Sequence, residues 1–486
     1  MRWAGNRLRW GLISTRSSSK EYLNLSREPL DIIIIGGGPG GYVAGLRAAG
    51  LGASVALVED DLIGGTCLNR GCIPTKALLE SSRLLRKING ASEFGITAQG
   101  VSHDAAVIAS RSQSVVTLMR KGIEGLLAKK KVDVIRGRGK LKSPGEVEVT
   151  TSDGKTEVLA ARSIIVATGS SWVTLPGVDI DGERIITSDH ALDLKEVPAS
   201  MLVVGAGAVG CELAEVYSAL GTEITIVEMM PQILPGEDTE LARRLDAALK
   251  RKGITILTSK KVASIERSGD GLKVAIEGSD TIEASKVLIG VGRRPNTEGI
   301  GLEEIGVTLE RGAVVTDAAM RTNVPGIFAI GDVNGKYLLA HVATAEGIVA
   351  AENACGQDSK MEYEVVPRCV YTDPEFAAVG LTEAQAQAAG TRTSVYRVRL
   401  GSIGRALTMG ETFGLAKIVC SEDDGRILGF HALAPHASEL ISEISVAIKQ
   451  GLTASDVAHV IHPHPTLSEI VWEAAEGAAG RPIHGD

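Results

Sequence analysis

A chain of 486 residues is too long for one hydrophobic core, so two to four domains are expected, and its 57 glycines exceed the usual ~7%, which points to many tight turns and close backbone approaches to ligands. A net charge of −8 and only 3% aromatic residues argue against a nucleic-acid binder, and the densest basic run, Lys129-Lys130-Lys131, reads as a solvated helix end. No apolar stretch approaches the ~18 residues of a membrane span, and six cysteines do not make a secreted disulfide framework.

Residues 1–28 are set apart as a transit peptide or tail. Arg2, Arg7, Arg9, Arg16 and Lys20 are basic, Ser14 to Ser19 is rich in hydroxyls, and no acid precedes Glu21. That composition resembles an organellar presequence; the alternative is a disordered tail without a targeting role. The presequence reading implies the mitochondrial matrix, with the plastid as the alternative.

The first folded unit opens with the apolar strand Asp31 to Ile35. It runs into Gly36-Gly37-Gly38-Pro39-Gly40-Gly41, then a helix from Tyr42 to about Leu51 and a strand, Ser54 to Val58, ending in Glu59. In such a Gly-x-Gly-x-x-Gly turn, Gly36 permits the tight bend, Gly38 lets the backbone approach a pyrophosphate, and Gly41 lets helix and strand pack closely. The helix N-terminus offers free N–H groups to the phosphates, and Glu59 is placed to accept from a ribose hydroxyl. The pattern recurs with Gly205, Gly207 and Gly210, ending in Glu228, over the same 23 positions. Two dinucleotide sites are therefore expected. Glu228, with no Arg close behind it, favours NAD over NADP at the second.

Between the units the sequence predicts helices over about Thr75 to Lys87 and Asp104 to Lys130, then strands from Val132 to Ile165. Ile164 to Ser170 is a strand entering a small-residue turn, and Val287 to Gly292 repeats that shape. Ile327 to Asp332 is another strand ending in an acid, which could meet a cofactor hydroxyl or cap the helix Ala340 to Cys355. From about Met361 the pattern becomes an antiparallel α+β unit. The fold class expected is α/β: two Rossmann-like dinucleotide-binding domains plus a C-terminal α+β domain.

Chemistry-bearing residues fall in two segments. Cys67 and Cys72 lie in Gly64-Gly65-Thr66-Cys67-Leu68-Asn69-Arg70-Gly71-Cys72-Ile73-Pro74-Thr75-Lys76. A metal site would need a second ligand cluster, and a permanent disulfide suits a reduced compartment poorly. A redox pair beside a flavin fits best, with Gly64-Gly65 allowing close approach and the following helix and Lys76 favouring a thiolate. Cys211, Cys355, Cys369 and Cys420 read as inert thiols. Far along the chain stands Ile461-His462-Pro463-His464-Pro465-Thr466-Leu467-Ser468-Glu469, where prolines stiffen the loop. Glu469 either closes a capping box as N3 of a helix begun at Thr466, or orients His464 as an acid does in a triad; both can hold together. His462 is the supporting member, although from sequence the two histidines could exchange roles.

Together these two segments resemble the dihydrolipoamide dehydrogenases, within the pyridine nucleotide–disulfide oxidoreductases, and the resemblance runs from about Pro29 to Ala479. Glutathione reductases share the architecture but differ after the second cysteine, and mercuric and large thioredoxin reductases add a C-terminal redox pair that Arg481 to Asp486 lacks. Two departures, Val342 where relatives often place Lys and Pro463 where Ala is common, remove no catalytic group.

The resemblance implies that Cys67 is the interchange thiol, Cys72 the charge-transfer thiol and His464, paired with Glu469, the base, reaching the cysteines from the other subunit of a homodimer. It implies FAD contacts at Gly36, Gly38, Gly41, Glu59, Gly65, Thr66, Lys76, Gly139, Thr168, Gly169, Ser170, Asp332, Leu338, Leu339, Ala340 and His341. NAD contacts are implied at Gly205, Gly207, Gly210, Glu212, Glu228, Val262 and Gly292, and no metal. It further implies an FAD-binding domain over 29–170, an NAD-binding domain over 171–295, a second FAD or central part over 296–362, and dimerisation through 363–486. The implied reaction reoxidises dihydrolipoamide on lipoyl domains of 2-oxoacid dehydrogenase complexes or the glycine cleavage system, with NAD⁺ as acceptor.

Overall fold

The computed structural model describes residues 29–193 and 196–484, so the presequence reading lies outside the described residues. Leu30–Ile35 is an apolar strand whose isoleucines are buried on both faces, as a parallel strand inside a layered sheet must be. Val55–Glu59 pairs parallel to it on one side and Thr156–Val166 on the other, while Asp133–Arg136 adds an edge beyond Val55–Glu59. Ile327–Ala329, from far along the chain, pairs parallel with Thr156–Val166, so the chain returns to this first sheet after building the second. That return also brings the helix Ala340–Ala354 against Pro39–Gly50.

The second sheet repeats the first. Thr255–Leu257, Glu223–Val227, Ser200–Val204, Lys286–Ile289 and Ile185–Thr187 are all parallel, in that order. A three-stranded antiparallel meander, Val262–Ser268, Gly271–Ile276 and Ile282–Ala284, packs its apolar face on this unit. The C-terminal unit is a five-stranded antiparallel sheet, Arg368–Val370, Glu375–Gly380, Ile427–Ala434, Leu415–Ser421 and Thr393–Arg399. The helices Ala437–Lys449 and Glu469–Ala478 cover it. No helix among the described residues is long and apolar enough to cross a membrane.

The helix after the cysteines starts earlier than the sequence suggests: it spans Cys72–Asn89, with Gly71 at its N-cap. Pro74 stands in its first turn, where a missing N–H costs nothing, so the proline does not delay the helix. The Lys129–Lys131 run does lie exposed where the helix Ala105–Lys129 ends.

A buried charge pair joins the second dinucleotide unit to the C-terminal sheet. Lys417 Nζ lies 2.9 Å from Asp238 Oδ2 and 2.9 Å from Glu383 Oε2, and the Lys417 and Asp238 side chains are each 5% exposed. Asp238 also caps the helix Thr239–Arg251 by accepting from Glu240 and Leu241 N–H. Burial opposes its charge, but the Lys417 ammonium outweighs burial and holds the carboxyl below the ordinary aspartate range. A depressed carboxylate stabilises the fold above its unfolded pKa of about 3.9 and loses that contribution as pH falls through the lower folded value. Lys417→Ala strands Asp238 as an unpaired buried charge and is expected to cost about 3–5 kcal/mol, read as a lowered denaturant midpoint. An unchanged midpoint would show that water or Arg397 compensates. An open cleft of about 1010 Å³ lies along this seam, lined by Arg243, Arg397, Glu240 and Lys417 but by no residue of the glycine turns or the cysteine segment.

Candidate functional site: a disulfide between two dinucleotide turns

The two glycine turns have matching geometry. Gly36 has φ +105° and Gly205 φ +100°, a region closed to most L-residues, and a Cβ on either would overlap the carbonyl just past a neighbouring strand, Ala167 O or Gly290 O. Gly41 and Gly210 are walled by the carbonyls of Gly36 and Gly205. The middle glycines differ: Gly207 has nothing within 4 Å of its Cβ position, and Gly38 meets only Gly65 Cα, at 3.9 Å. The outer glycines are thus demanded by the protein itself, while the middle ones face space that a pyrophosphate backbone can enter.

Each turn ends on a buried glutamate held in the same way. Glu59 accepts from Gly37 N–H at 2.6 Å and Asp61 N–H at 2.8 Å, and Glu228 from Ala206 N–H at 2.7 Å and Met230 N–H at 2.8 Å. A carboxylate offers about four lone-pair sites, so each keeps capacity for ribose hydroxyls. Burial pushes the Glu59 carboxyl up despite its two N–H partners, so further donors would be favourable there.

Cys67 and Cys72 are joined as a disulfide, Cα atoms 4.7 Å apart. Cys67 sits in the short helix Gly65–Arg70, and Cys72 is the first residue of its own helix, where unpaired N–H groups favour a thiolate. Gly64 and Gly65 dock this segment on the first turn: Gly64 N–H donates to Gly37 O at 2.8 Å, and a Cβ on Gly65 would stand 2.7 Å from Gly38 Cα. Close approach is therefore required, against the turn that faces the pyrophosphate. Asn69 pins the segment further, donating to Ile63 O and Gly65 O and accepting from Arg120. One turn along from Cys72, Lys76 Nζ lies 2.8 Å from Glu212 Oε2 and 4.5 Å from the centre of the Tyr371 ring. Glu212 gives its other oxygen to Tyr371 N–H. Its side chain thus serves the cysteine helix, while its backbone lies in the helix Ala208–Ala219 that follows the second glycine turn.

The remaining residues expected at the first site converge from three elements. Asp332 does not cap the helix Ala340–Ala354, whose N-cap is Leu339. Its carboxylate instead accepts from Ser170 Oγ at 2.5 Å, and Ser170 Oγ accepts from Arg293 Nε at 2.7 Å. Burial raises the Asp332 carboxyl against these partners. Thr168 donates to Asn296 O, and Gly169 and Gly292, both at positive φ, have nothing within 4 Å of their Cβ positions. Thr66 lies in the Cys67 helix, and Leu338, Leu339, Ala340 and His341 enter the helix behind Asp332. Gly139 is in the strand Arg138–Ser143 against Ile35, and Val262 is buried in the core of the second unit. Sequence reasoning missed Arg293, although its place directly after Gly292 was a signal.

The histidine segment stands apart. His464 Nδ1 lies 2.7 Å from Glu469 Oε1, and the imidazole is 76% exposed. Glu469 is the first residue of its helix, after Ser468 as N-cap, and not the third residue of a helix begun at Thr466. It accepts from Thr466 N–H at 2.9 Å, half of a capping box; the Thr466 hydroxyl turns to Pro463 O instead. Burial would raise the Glu469 carboxyl, but hydrogen bonds from His464 and Thr466 outweigh it and hold it below the ordinary glutamate range. Ionised Glu469 requires the proton on Nδ1, which leaves Nε2 as the free basic nitrogen. His462 is 5% exposed and has both nitrogens engaged, with Val460 O and Glu443. No hydrogen bond or ion pair among the described residues links His464 to segment 64–76. The other four cysteines all have thiols pushed up by burial, Cys369 and Cys420 to about 12.

Residues 30–347 match the family described as pyridine nucleotide-disulphide oxidoreductase, and residues 366–475 match its dimerisation domain. The chain belongs to the pyridine nucleotide-disulphide oxidoreductases. It is 43% identical over 461 residues to a dihydrolipoyl dehydrogenase of Chlamydia muridarum, covering 94% of this chain and 98% of that protein. It is 40% identical over 462 residues to a mitochondrial dihydrolipoyl dehydrogenase of Pisum sativum, covering 93% and 92%. A solved LpdA structure from Mycobacterium tuberculosis superposes with a TM-score of 0.87 at 33% identity, covering 92% of this chain and 99% of that one. Membership in this family implies FAD and NAD(H) as cofactors, which suits the paired turns and their glutamates, and the dimerisation domain supports a homodimer.

Proposed function

We propose that this flavoprotein reoxidises protein-bound dihydrolipoamide to lipoamide, with NAD⁺ as the final acceptor. The observation that carries the reading is the Cys67–Cys72 disulfide docked by Gly65 onto the first dinucleotide turn. His464 Nε2 takes the proton from one substrate thiol, since only a thiolate is a competent nucleophile. That thiolate attacks Cys67 Sγ, the Cys67–Cys72 bond breaks, and Cys72 leaves as the thiolate. The second substrate thiol attacks the mixed disulfide and its proton goes to the departing Cys67 sulfur, so that lipoamide departs oxidised and the protein holds a Cys67 thiol, a Cys72 thiolate and the electron pair, with the first proton on His464. FAD, when bound at the first turn, would supply the two-electron acceptor for that pair and the link to NAD⁺ at the second. Glu59 and Asp332 would hold FAD, and Glu228 the ribose of NAD. Lys76, fixed by Glu212, keeps positive charge one helical turn from Cys72.

Among the described residues no hydrogen bond or ion pair joins His464 to the cysteine segment, and the chain carries the family's dimerisation domain; both support the reading that the dyad serves the disulfide of a second copy and that the homodimer is the catalytic unit. We place the FAD-binding parts at 29–170 and 296–362, the NAD-binding part at 171–295 and the dimerisation part at 363–486. The substrate is a lipoyl domain of a 2-oxoacid dehydrogenase complex or of the glycine cleavage system. The Arg- and Ser-rich residues 1–28 and the pea relative support the mitochondrial matrix, which import of the full chain into isolated mitochondria would test. NADH formation from NAD⁺ and dihydrolipoamide should be robust, while NADPH-driven reduction of glutathione disulfide should stay at background. The reverse preference would sink the reading.

A further inference from the structure

Glu346 is fully buried in the helix Ala340–Ala354, yet it bonds nothing in its own helix surface. Its Oε2 accepts from Gly331 N–H at 2.6 Å and from Asn334 Nδ2 at 2.9 Å, which braces the turn containing Asp332. Its Oε1 accepts from the Tyr363 hydroxyl at 2.6 Å. Tyr363 lies in the connection between that helix and the strand Arg368–Val370 of the C-terminal unit. Its ring stacks on Tyr337 with centroids 5.5 Å apart and planes at 16°, and Lys336 Nζ sits 5.3 Å from the ring centre. Tyr337 immediately precedes Leu338, and further along the same connection Pro367 O lies 2.9 Å from His341 Nε2. One side chain therefore touches both stretches that reach toward the first dinucleotide site: the 331–334 turn through Glu346, and the 337–341 entry through Tyr337.

We propose that Tyr363, acting through Glu346, is a positioning residue for the flavin, locking the Asp332 turn and the 338–341 segment in register. Its effect passes through the two segments: it sets how well they are preorganised to hold FAD. The physical basis is that a fully buried carboxylate tolerates no missing donor, so loss of the hydroxyl leaves Glu346 under-satisfied and loosens the turn it braces. Because Tyr363 lies in the connection into the dimerisation unit, flavin retention and docking of that unit share one joint. The inference rests on the reading of Asp332 and residues 338–341 as FAD contacts.

The test uses the holoenzyme dimer and follows FAD release by recovery of free-flavin fluorescence. Tyr363→Phe removes only the hydroxyl and keeps the stack on Tyr337; it should speed FAD release at least tenfold and shift the visible flavin bands, as should Glu346→Gln. Tyr217→Phe deletes a comparable buried hydroxyl, which donates to Ala191 O in the second unit, and should leave release and spectrum as in the parent. Thermal melting and elution volume of the apoprotein should be alike for Tyr363→Phe and Tyr217→Phe. Parent-like release from both Tyr363→Phe and Glu346→Gln overturns the proposal, as does equal acceleration by Tyr217→Phe, which would mean general loosening. Asp332→Ala in the same assay separates the two levels of inference: if it releases FAD while Tyr363→Phe does not, only the positioning role fails; if it retains FAD, the underlying assignment fails.

Discussion

His464→Ala is expected to lower dihydrolipoamide turnover by roughly 10²–10⁴-fold, the usual worth of a well-placed general base, while FAD stays bound. The expectation follows from which nitrogens are free. His464 uses Nδ1 on Glu469 and exposes the rest of its ring, whereas His462 has both nitrogens occupied and its ring enclosed. His462→Ala should therefore reduce stability more than the rate per folded molecule. Glu469→Gln keeps the shape but removes the charge that fixes the tautomer, so its loss in rate should fall between those of parent and His464→Ala. Steady-state rates on equal amounts of flavin-loaded dimer give the comparison. Near-parent turnover in His464→Ala, with collapse in His462→Ala, would move the base to His462.

The two glycine turns were legible because their outer glycines have a local physical demand and the middle one falls at a fixed spacing between them. Gly36 and Gly41 are required by carbonyls a few ångströms away, and Glu59 follows at the end of the next strand. The change to an antiparallel α+β unit after about Met361 was legible from alternation and flanking turns, and the five antiparallel strands run from Arg368–Val370 to Ile427–Ala434. Side-chain commitments across long sequence separations were not. Nothing near Glu212 says that its carboxylate will reach Lys76 and Tyr371, and nothing near Asp238 says that Lys417 lies above it. Such pairs depend on how separately folded units dock, which hydrophobic periodicity does not encode.

Glu469 shows a finer limit. Thr-x-x-Glu before an apolar run is a sound signal for a capping box, and the Thr466 N–H does reach the carboxylate. Yet the helix starts at Glu469 itself, because Thr466 Oγ1 bonds to Pro463 O within the proline-stiffened loop. A carboxylate that caps from N1 leaves its second oxygen directed at His464. The capping and orienting readings thus turn out to be two oxygens of one group.

Cys72→Ser is expected to abolish turnover, because no disulfide remains to receive the substrate's electron pair. Its diagnostic value lies in an asymmetry with Cys67→Ser. Cys72 opens a helix, so its thiolate is stabilised by unpaired N–H groups, and it lies on the segment held against the flavin-side turn. A thiolate there gives a long-wavelength charge-transfer band with oxidised flavin. Cys67→Ser should show that band without added reductant, since Cys72 is then permanently free. Cys72→Ser should lack it under all conditions, including two-electron reduction, while its Cys67 becomes open to alkylation without prior reduction. Absorbance spectra of the two variants, with mass mapping of the alkylated cysteine, distinguish the assignments. A band retained in Cys72→Ser and absent from Cys67→Ser would exchange the roles of the two sulfurs and make Cys72 the point of substrate attack.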